Sequence, residues 1–194
     1  RFIGVEITPG TPPASAVSKV VRWLRGGLSG ASRPAAQAVD LVNLVTLGSG
    51  DTSASTLPGN IIFDRCYLHG DPVVGARRGI AMNSTYTAVI NSYLSDFKQT
   101  DVDSQAIGSW NGPGPFKIQN DYLEAAGENV MFGGEDPTIQ GLVPSDIEVL
   151  GNHFAKPIAW MQGNPAYQGT AWSIKNIFEL RSEERRVGKE CRSR

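Results

Sequence analysis

The feature that most constrains the fold of this chain is a repeat with a period of about 30 residues. Its clearest copy lies in residues 115–134, PFKIQNDYLEAAGENVMFGG, where the pattern apolar, any, Asn, any, aromatic, apolar precedes a turn and a second apolar run. The first half recurs three more times, and the leading apolar residues of the four copies are Ile62, Val89, Ile118 and Val149. Their separations of 27, 29 and 31 residues are typical of solenoids, in which each repeat forms one coil.

The residue types in the copies favour β-strands over helices. Each copy is a short run of β-branched and aromatic residues bounded by Gly, Pro, Asn or Asp. The third position is Asp64, Asn91, Asn120 and Gly151 in turn. These residue types enter the left-handed backbone region at the least steric cost, as a tight bend between two strands requires. The pattern therefore predicts parallel β-helix coils, and the two asparagines predict an internal Asn ladder.

The second half of the repeat also aligns, because in each copy a long polar residue stands two positions before an apolar one. The polar residues are Arg78, Gln105, Glu128 and Lys156. The apolar residues are Ile80, Ile107, Val130 and Ile158. Stacked coils would place the apolar residues in an inward ladder with steps of about 4.8 Å. The polar residues would form one outward column.

One segment departs from strand character. Residues 12–28 carry apolar side chains at helical spacing, whereas residues 2–7 and 41–47 read as strands on either side. We therefore expect an all-β, right-handed parallel β-helix of about five to six coils, with one helical insertion near residues 14–28. The hand follows the general preference of parallel crossover connections. Residues 1–180 are predicted to belong to this single domain.

The last fourteen residues, 181–194, resemble the translation of a sequencing adapter, so we expect them to be foreign to the fold and to make few contacts. They carry six of the 18 Lys and Arg and three of the 19 Asp and Glu, and without them the formal charge changes from −1 to −4. A mildly acidic balance gives no electrostatic case for nucleic acid as a partner.

Two further expectations follow from the rest of the chain. No apolar run approaches the length of about eighteen residues that a membrane span needs, so no span is predicted. The chain begins at Arg1 instead of Met, and we expect the natural protein to continue upstream, with any signal peptide lying there. Outside the tail Cys66 is the lone cysteine, so no disulfide is predicted.

Several strings in the chain carry a resemblance to a known family. They are HGDP (69–72), RRGIA (77–81), QAIGSWNGPGPF (105–116), LEAAGENVMFGG (123–134), PSDIEVLGNHF (144–154) and WSIKNIFEL (172–180). Together they resemble bacterial right-handed parallel β-helix proteins of the pectate-lyase-like superfamily, in particular a group of exported proteins. The resemblance covers roughly residues 1–180. It implies a right-handed solenoid, a secreted, periplasmic or cell-surface location, and a polysaccharide bound along the stacked strands.

The predicted polar column is the candidate site. A column that mixes basic, amide and carboxylate groups can bind a sugar acid and abstract a proton, so Arg78, Glu128 and Lys156 are the predicted catalytic residues. The predicted substrate-binding residues are Asp103, Gln105, Trp110 and Trp160. The alternative is a solvated polar ladder that flanks the core and whose opposite charges pair weakly.

The reaction stays open at this point. A lyase needs a base beside the proton next to a uronate carboxyl, and a cation such as Ca²⁺ or Arg to stabilise the enolate. A hydrolase needs carboxylates that face each other across a glycosidic bond, for which Asp101 and Asp103 are available. A non-catalytic glycan-binding or adhesive module is the third possibility. His153 shares its template position with Cys66, Tyr93 and Tyr122, which favours packing over catalysis.

Overall fold

The structure is a computed structural model that describes residues 1–9 and 42–181. In these two ranges the strands wind into five coils, each of which contains three strands. The first coil contains β1 (Phe2–Ile3), β2 (Glu6–Ile7) and β3 (Asn43–Leu47), and the second β4 (Gly59–Asp64), β5 (Tyr67–His69) and β6 (Arg78–Met82). The third contains β7 (Thr85–Ile90), β8 (Tyr93–Phe97) and β9 (Gln105–Ser109). The fourth contains β10 (Phe116–Gln119), β11 (Tyr122–Ala125) and β12 (Glu128–Phe132), and the fifth β13 (Ile147–Leu150), β14 (His153–Ala155) and β15 (Phe178–Leu180). Short 3₁₀ helices span Ala54–Thr56 and Ile158–Trp160.

Every third strand belongs to the same sheet, and all neighbours in a sheet are parallel. Sheet A has the order β1-β4-β7-β10-β13, sheet B β2-β5-β8-β11-β14 and sheet C β3-β6-β9-β12-β15. This arrangement confirms the predicted right-handed parallel β-helix. The helical insertion predicted near residues 14–28 lies outside the described residues, as does the tail beyond Arg181.

The three sheets enclose one apolar core. Sheet A contributes Phe63, Val89 and Ile118, sheet B Leu68, Leu94 and Leu123, and sheet C Ile80, Ile107 and Val130, all of them buried. Each group of three stacks in register along the axis. Burial of one such side chain stabilises a fold by roughly 1.5–3 kcal/mol, so the repeated apolar positions hold the coils together.

The bend between sheets A and B corrects the predicted register of the first copy. Arg65, Asn91, Asn120 and Gly151 have left-handed φ values of 54°, 53°, 57° and 60°. Arg65 therefore takes the bend position predicted for Asp64, and Phe63 takes the leading position predicted for Ile62. The prediction was one residue out because Ile62 and Phe63 are both apolar, and because Arg is not a residue type that favours a left-handed bend.

The predicted Asn ladder exists, but it lies on the outer surface. Asn120 Nδ2 donates to Asn91 Oδ1 over 2.9 Å, and both residues are exposed. The internal ladder uses the next position. Ser92 N donates to Asp121 Oδ1 over 2.6 Å, and Asp121 N donates to Asn152 Oδ1 over 2.8 Å, so each side chain accepts an N–H from the preceding coil. This row satisfies backbone groups that the bend would otherwise leave unpaired inside the coil.

The fifth coil differs from the prediction, because residues 156–177 form an inserted segment that we name the strap. Val130 pairs with Phe178 and not with Ile158, and Ile158 is 65% exposed. The predicted place of Ile158 in the inward ladder is therefore wrong. The physical cause is Pro157, which has no N–H for a strand ladder and instead precedes the 3₁₀ helix Ile158–Trp160. Within the described residues, no helix has the length and apolar character needed to cross a membrane.

Candidate functional site

The strand register brings three of the four predicted column residues together on the outer face of sheet C. Arg78 pairs with Gln105, and Gln105 pairs with Glu128. A Cβ on the next residue, Gly79, would meet the ring of the core residue Phe97 within 2.8 Å, so Gly79 faces the interior. Ile80 also faces the interior, and the register passes over Gly79, so strict alternation is interrupted here. The side chain of Arg78 lies outside, because its guanidinium lies against the half-exposed Trp110 ring.

Asn43 of β3 extends this group by one strand, and we name Asn43, Arg78, Gln105 and Glu128 the polar row. Hydrogen bonds join its members in sequence. Arg78 Nη1 donates to Asn43 Oδ1 over 2.7 Å and Arg78 Nε to Gln105 Oε1 over 2.9 Å. Gln105 Nε2 then donates to Glu128 Oε2 over 2.8 Å. The amide of Gln105 thus connects a cation and an anion on neighbouring coils.

Three of the four members of the polar row are shielded from water. Arg78, Gln105 and Glu128 are 7%, 1% and 0% exposed. The alternative of a solvated polar ladder therefore does not describe these three residues. Buried charged groups are tolerated when they are hydrogen-bonded, and the amide of Gln105 supplies one such bond to Arg78 and one to Glu128.

Trp110 covers the Arg78 end of the polar row. The guanidinium carbon of Arg78 lies 4.7 Å from the centroid of the half-exposed Trp110 ring, within the range of a cation–π contact. A Cβ on Gly108 would stand 3.2 Å from Arg78 Nε, so glycine lets the guanidinium lie close to the sheet. Burial, followed by the charge of Arg77, lowers the pKa of Arg78 to about 10.

The opposite end of the polar row is charged and involves the strap. Lys175 Nζ forms an ion pair of 2.7 Å with Asp103 Oδ2 and lies 4.0 Å from Glu128 Oε1. Glu128 Oε1 is buried and has no hydrogen-bond partner among the described residues. Two site residues predicted from the sequence, Asp103 and Glu128, therefore lie beside the same ammonium group.

Lys156, predicted as a catalytic residue of the column, lies outside the polar row. Its Nζ donates to the carbonyl oxygens of Ala125, Ala126 and Gly127 over 2.9, 2.8 and 2.6 Å, which uses all three of its hydrogens. Burial lowers its pKa to about 8. The placement of Lys156 in the column is wrong because the strap begins here, and the side chain instead closes the turn between β11 and β12.

Trp160, predicted as a sugar-stacking residue, lies in the strap and is 5% exposed. The ammonium of Lys98 lies 5.4 Å from the ring centroids of both Trp160 and Trp172. Lys98 Nζ also donates to Asp96 Oδ1 and to the carbonyl oxygen of Pro72, each over 2.8 Å. Through these contacts Trp160 helps to hold the strap in place, and its buried ring has no open face for a sugar.

An aromatic stack runs along the outer face of sheet B. The ring centroids of Tyr93 and Tyr122 are 4.2 Å apart and those of Tyr122 and His153 are 5.2 Å apart, with nearly parallel planes. Tyr67 takes the position in this stack that the sequence assigned to Cys66. Because neighbouring rings cover each other's faces, the stack stabilises the coils and leaves mainly ring edges for a ligand.

Two contributors to the site were not predicted, namely Asn43 and Lys175. Asn43 precedes Val45 by two residues, and extending the repeat back to LVNLVTL would have revealed it. Lys175 carries no such signal, because its position depends on the path of the strap. Within residues 1–9 and 42–181, no group of three or more His, Cys, Asp or Glu side chains is arranged to hold a metal ion.

Comparisons with family models, curated proteins and solved structures gave no match to this chain.

Proposed function

We propose that this protein is a non-catalytic glycan-binding module that holds a polysaccharide against the outer face of sheet C. The observation that carries the proposal is the polar row itself, a preorganised line of amide and charged groups. It runs from a half-exposed Trp110 to a carboxylate oxygen of Glu128 that has no hydrogen-bond partner among the described residues. An aromatic ring beside a few fixed polar groups is a common arrangement in ligand sites. The family resemblance supports a polysaccharide partner and a secreted, periplasmic or cell-surface location.

Binding without turnover fits the charged end of the row better than hydrolysis does. A glycosidase needs two carboxylates separated by a space for the scissile bond or for water. Here Lys175 stands beside Asp103 and Glu128, with its ammonium 2.7 and 4.0 Å from their oxygens. An ammonium group in that position occupies space that a hydrolase would leave to its substrate.

A polysaccharide lyase is the second candidate, and one observation favours it. The pKa of Arg78 is lowered to about 10 by burial, and a lowered pKa is what an arginine requires to act as a base. The same side chain already donates to Asn43 and Gln105. A base role would therefore require Arg78 to leave part of the polar row.

A polysaccharide panel tests the proposal and separates the two candidates. The full chain is titrated with neutral and acidic polysaccharides, while ultraviolet absorbance follows any unsaturated product. We expect binding without product, and we expect Trp110→Ala to weaken it about tenfold, or ~1.4 kcal/mol. The matched control is Tyr86→Ala, since Tyr86 is an exposed aromatic residue at the start of a sheet A strand.

The panel has two unfavourable outcomes. Product that accumulates with wild-type protein and disappears with Arg78→Lys would replace the binding proposal by the lyase. Failure of every polysaccharide to bind would remove both candidates.

A further inference from the structure

One carboxylate oxygen of Glu128 accepts no hydrogen bond from the described residues. Gln105 Nε2 fixes Oε2 at 2.8 Å, whereas Oε1 is buried and has no partner among residues 1–9 and 42–181. Leaving a buried acceptor unpaired is costly, and more so for a charged group. A ligand that brings a donor to Oε1 recovers part of that cost.

The nearest cation stops short of this oxygen. Lys175 Nζ is 4.0 Å from Glu128 Oε1, beyond hydrogen-bonding distance, because Asp103 Oδ2 holds it at 2.7 Å. One hydroxyl oxygen can lie about 2.8 Å from both groups, donating to the carboxylate and accepting from the ammonium. The geometry thus suits a group that is both a donor and an acceptor.

A carboxylate suits the same place poorly. It has no hydrogen to donate to Glu128 Oε1, and it would lie close to the negative charges of Glu128 and Asp103. The other cations of the neighbourhood are already engaged, since Arg78 donates to Asn43 and Gln105, Lys156 donates to three carbonyls, and Arg181 pairs with Glu179. The two carboxylates would therefore repel an acidic sugar, and these engaged cations would not compensate for the repulsion.

We propose that Glu128 and Lys175 form a hydroxyl-recognising subsite that selects a neutral, hydroxyl-rich glycan over a uronate. This inference rests on the proposed glycan-binding function and reverses the acidic substrate expected from the sequence. Lys175 belongs to the strap and its side chain is 40% exposed, so it can swing aside to admit the sugar. The subsite then closes when Lys175 donates to the bound hydroxyl.

The test compares acidic polysaccharides with their own carboxyl-reduced forms. Polygalacturonate, alginate and hyaluronate, each beside its reduced form, and the neutral polysaccharides of the panel are titrated calorimetrically into the full chain. We expect a neutral form to bind at least tenfold more tightly than its acidic parent. Glu128→Gln should weaken neutral binding about tenfold, because Oε1 becomes an amide that donates where the ligand also donates.

The matched control is Glu148→Gln, which removes an exposed carboxylate on the outer face of sheet A and should change affinity less than twofold. Melting curves identify variants that fail to fold. If Glu128→Gln is one of them, Lys175→Met replaces it, since the exposed Lys175 tolerates change and its loss should also weaken neutral binding about tenfold.

The outcomes separate this inference from the function on which it rests. Tighter binding of an acidic form than of its reduced form overturns the hydroxyl subsite and leaves glycan binding intact. Neutral binding that is unchanged in folded Glu128→Gln, or unchanged or tighter in Lys175→Met, also overturns it. Absence of binding to every polysaccharide removes the subsite together with the proposed function.

Discussion

Asp121 places a carboxylate inside the solenoid, and its ionisation makes the stability of the fold depend on pH. Its Oδ1 accepts from Ser92 N over 2.6 Å, whereas its Oδ2 is buried and has no hydrogen-bond partner in the described part of the chain. Burial raises the pKa of Asp121 to about 7. Asn152 holds the equivalent place one coil later and donates its amide to the carbonyl oxygen of Ile118 over 2.8 Å.

We predict that Asp121→Asn stabilises the protein at about pH 8 by roughly 2–4 kcal/mol and has little effect near pH 4. The folded pKa exceeds the unfolded value of about 3.9, so the stability due to this group is present below pH 4 and is lost as pH rises through about 7. The new amide would donate to the carbonyl of Val89, which pairs with Ile118. Urea unfolding at the two pH values measures the effect, and an equal change at both would refute this assignment.

The bend at Arg65 is a backbone conformation that the sequence pattern did not predict. Asn91, Asn120 and Gly151 were identified correctly, because their types favour left-handed backbone. Arg65 adopts the same conformation without such a preference, next to Asp64, whose carboxylate accepts from Arg65 Nε over 3.3 Å. That contact joins sequence neighbours, but it gives Arg65 no residue-type preference for left-handed backbone.

At the scale of elements, the strap is the main departure from the repeat. It replaces Ile158 by Phe178 in the register of sheet C, and it carries Lys175 to the polar row. The repeat predicted the strands before the strap, since their apolar positions recur at regular spacing. A segment of irregular length between two strands of one coil leaves no periodic signal, so its path and its contacts were not predictable.

The same substitution at two positions tests the placement of the strap. Ile107→Ala should cost about 2–5 kcal/mol, because it removes a fully buried side chain from the core. Ile158→Ala should cost less than about 0.5 kcal/mol, because Ile158 is 65% exposed. Denaturant unfolding of both variants provides the comparison. Similar losses in the free energy of unfolding would indicate that Ile158 belongs to the inward ladder.

The fastening of the strap gives a second prediction at this scale. Lys98→Met keeps most of the stem but removes the hydrogen bonds to Asp96 and to the carbonyl of Pro72 and the contacts with two Trp rings. We expect faster proteolysis within residues 156–177, because the strap loses these contacts with the coils. Lys117→Met, which removes an exposed lysine on sheet A, is the control. Unchanged cleavage within the strap would show that Lys98 does not fasten it.

At the scale of the whole molecule, the polar row exists because coils about 30 residues apart in sequence stack in register. Arg78, Gln105 and Glu128 were predicted to meet for this reason, and their strands pair as expected. Their burial and the amide bridge through Gln105 were not predicted, because the repeat fixes which residues are neighbours but not how their side chains turn or what covers them.

The most direct test of this account is a double-mutant cycle between Gln105 and Glu128, read by denaturant unfolding. The two residues are 23 positions apart and share a hydrogen bond of 2.8 Å. We predict that Gln105→Ala and Glu128→Ala are coupled by about 1–3 kcal/mol, because a bond to a buried charge disappears with either change. A cycle between Gln105→Ala and Glu148→Ala, on different sheets, should be additive within about 0.5 kcal/mol. Additivity in the Gln105–Glu128 cycle as well would contradict the stacking that builds the polar row.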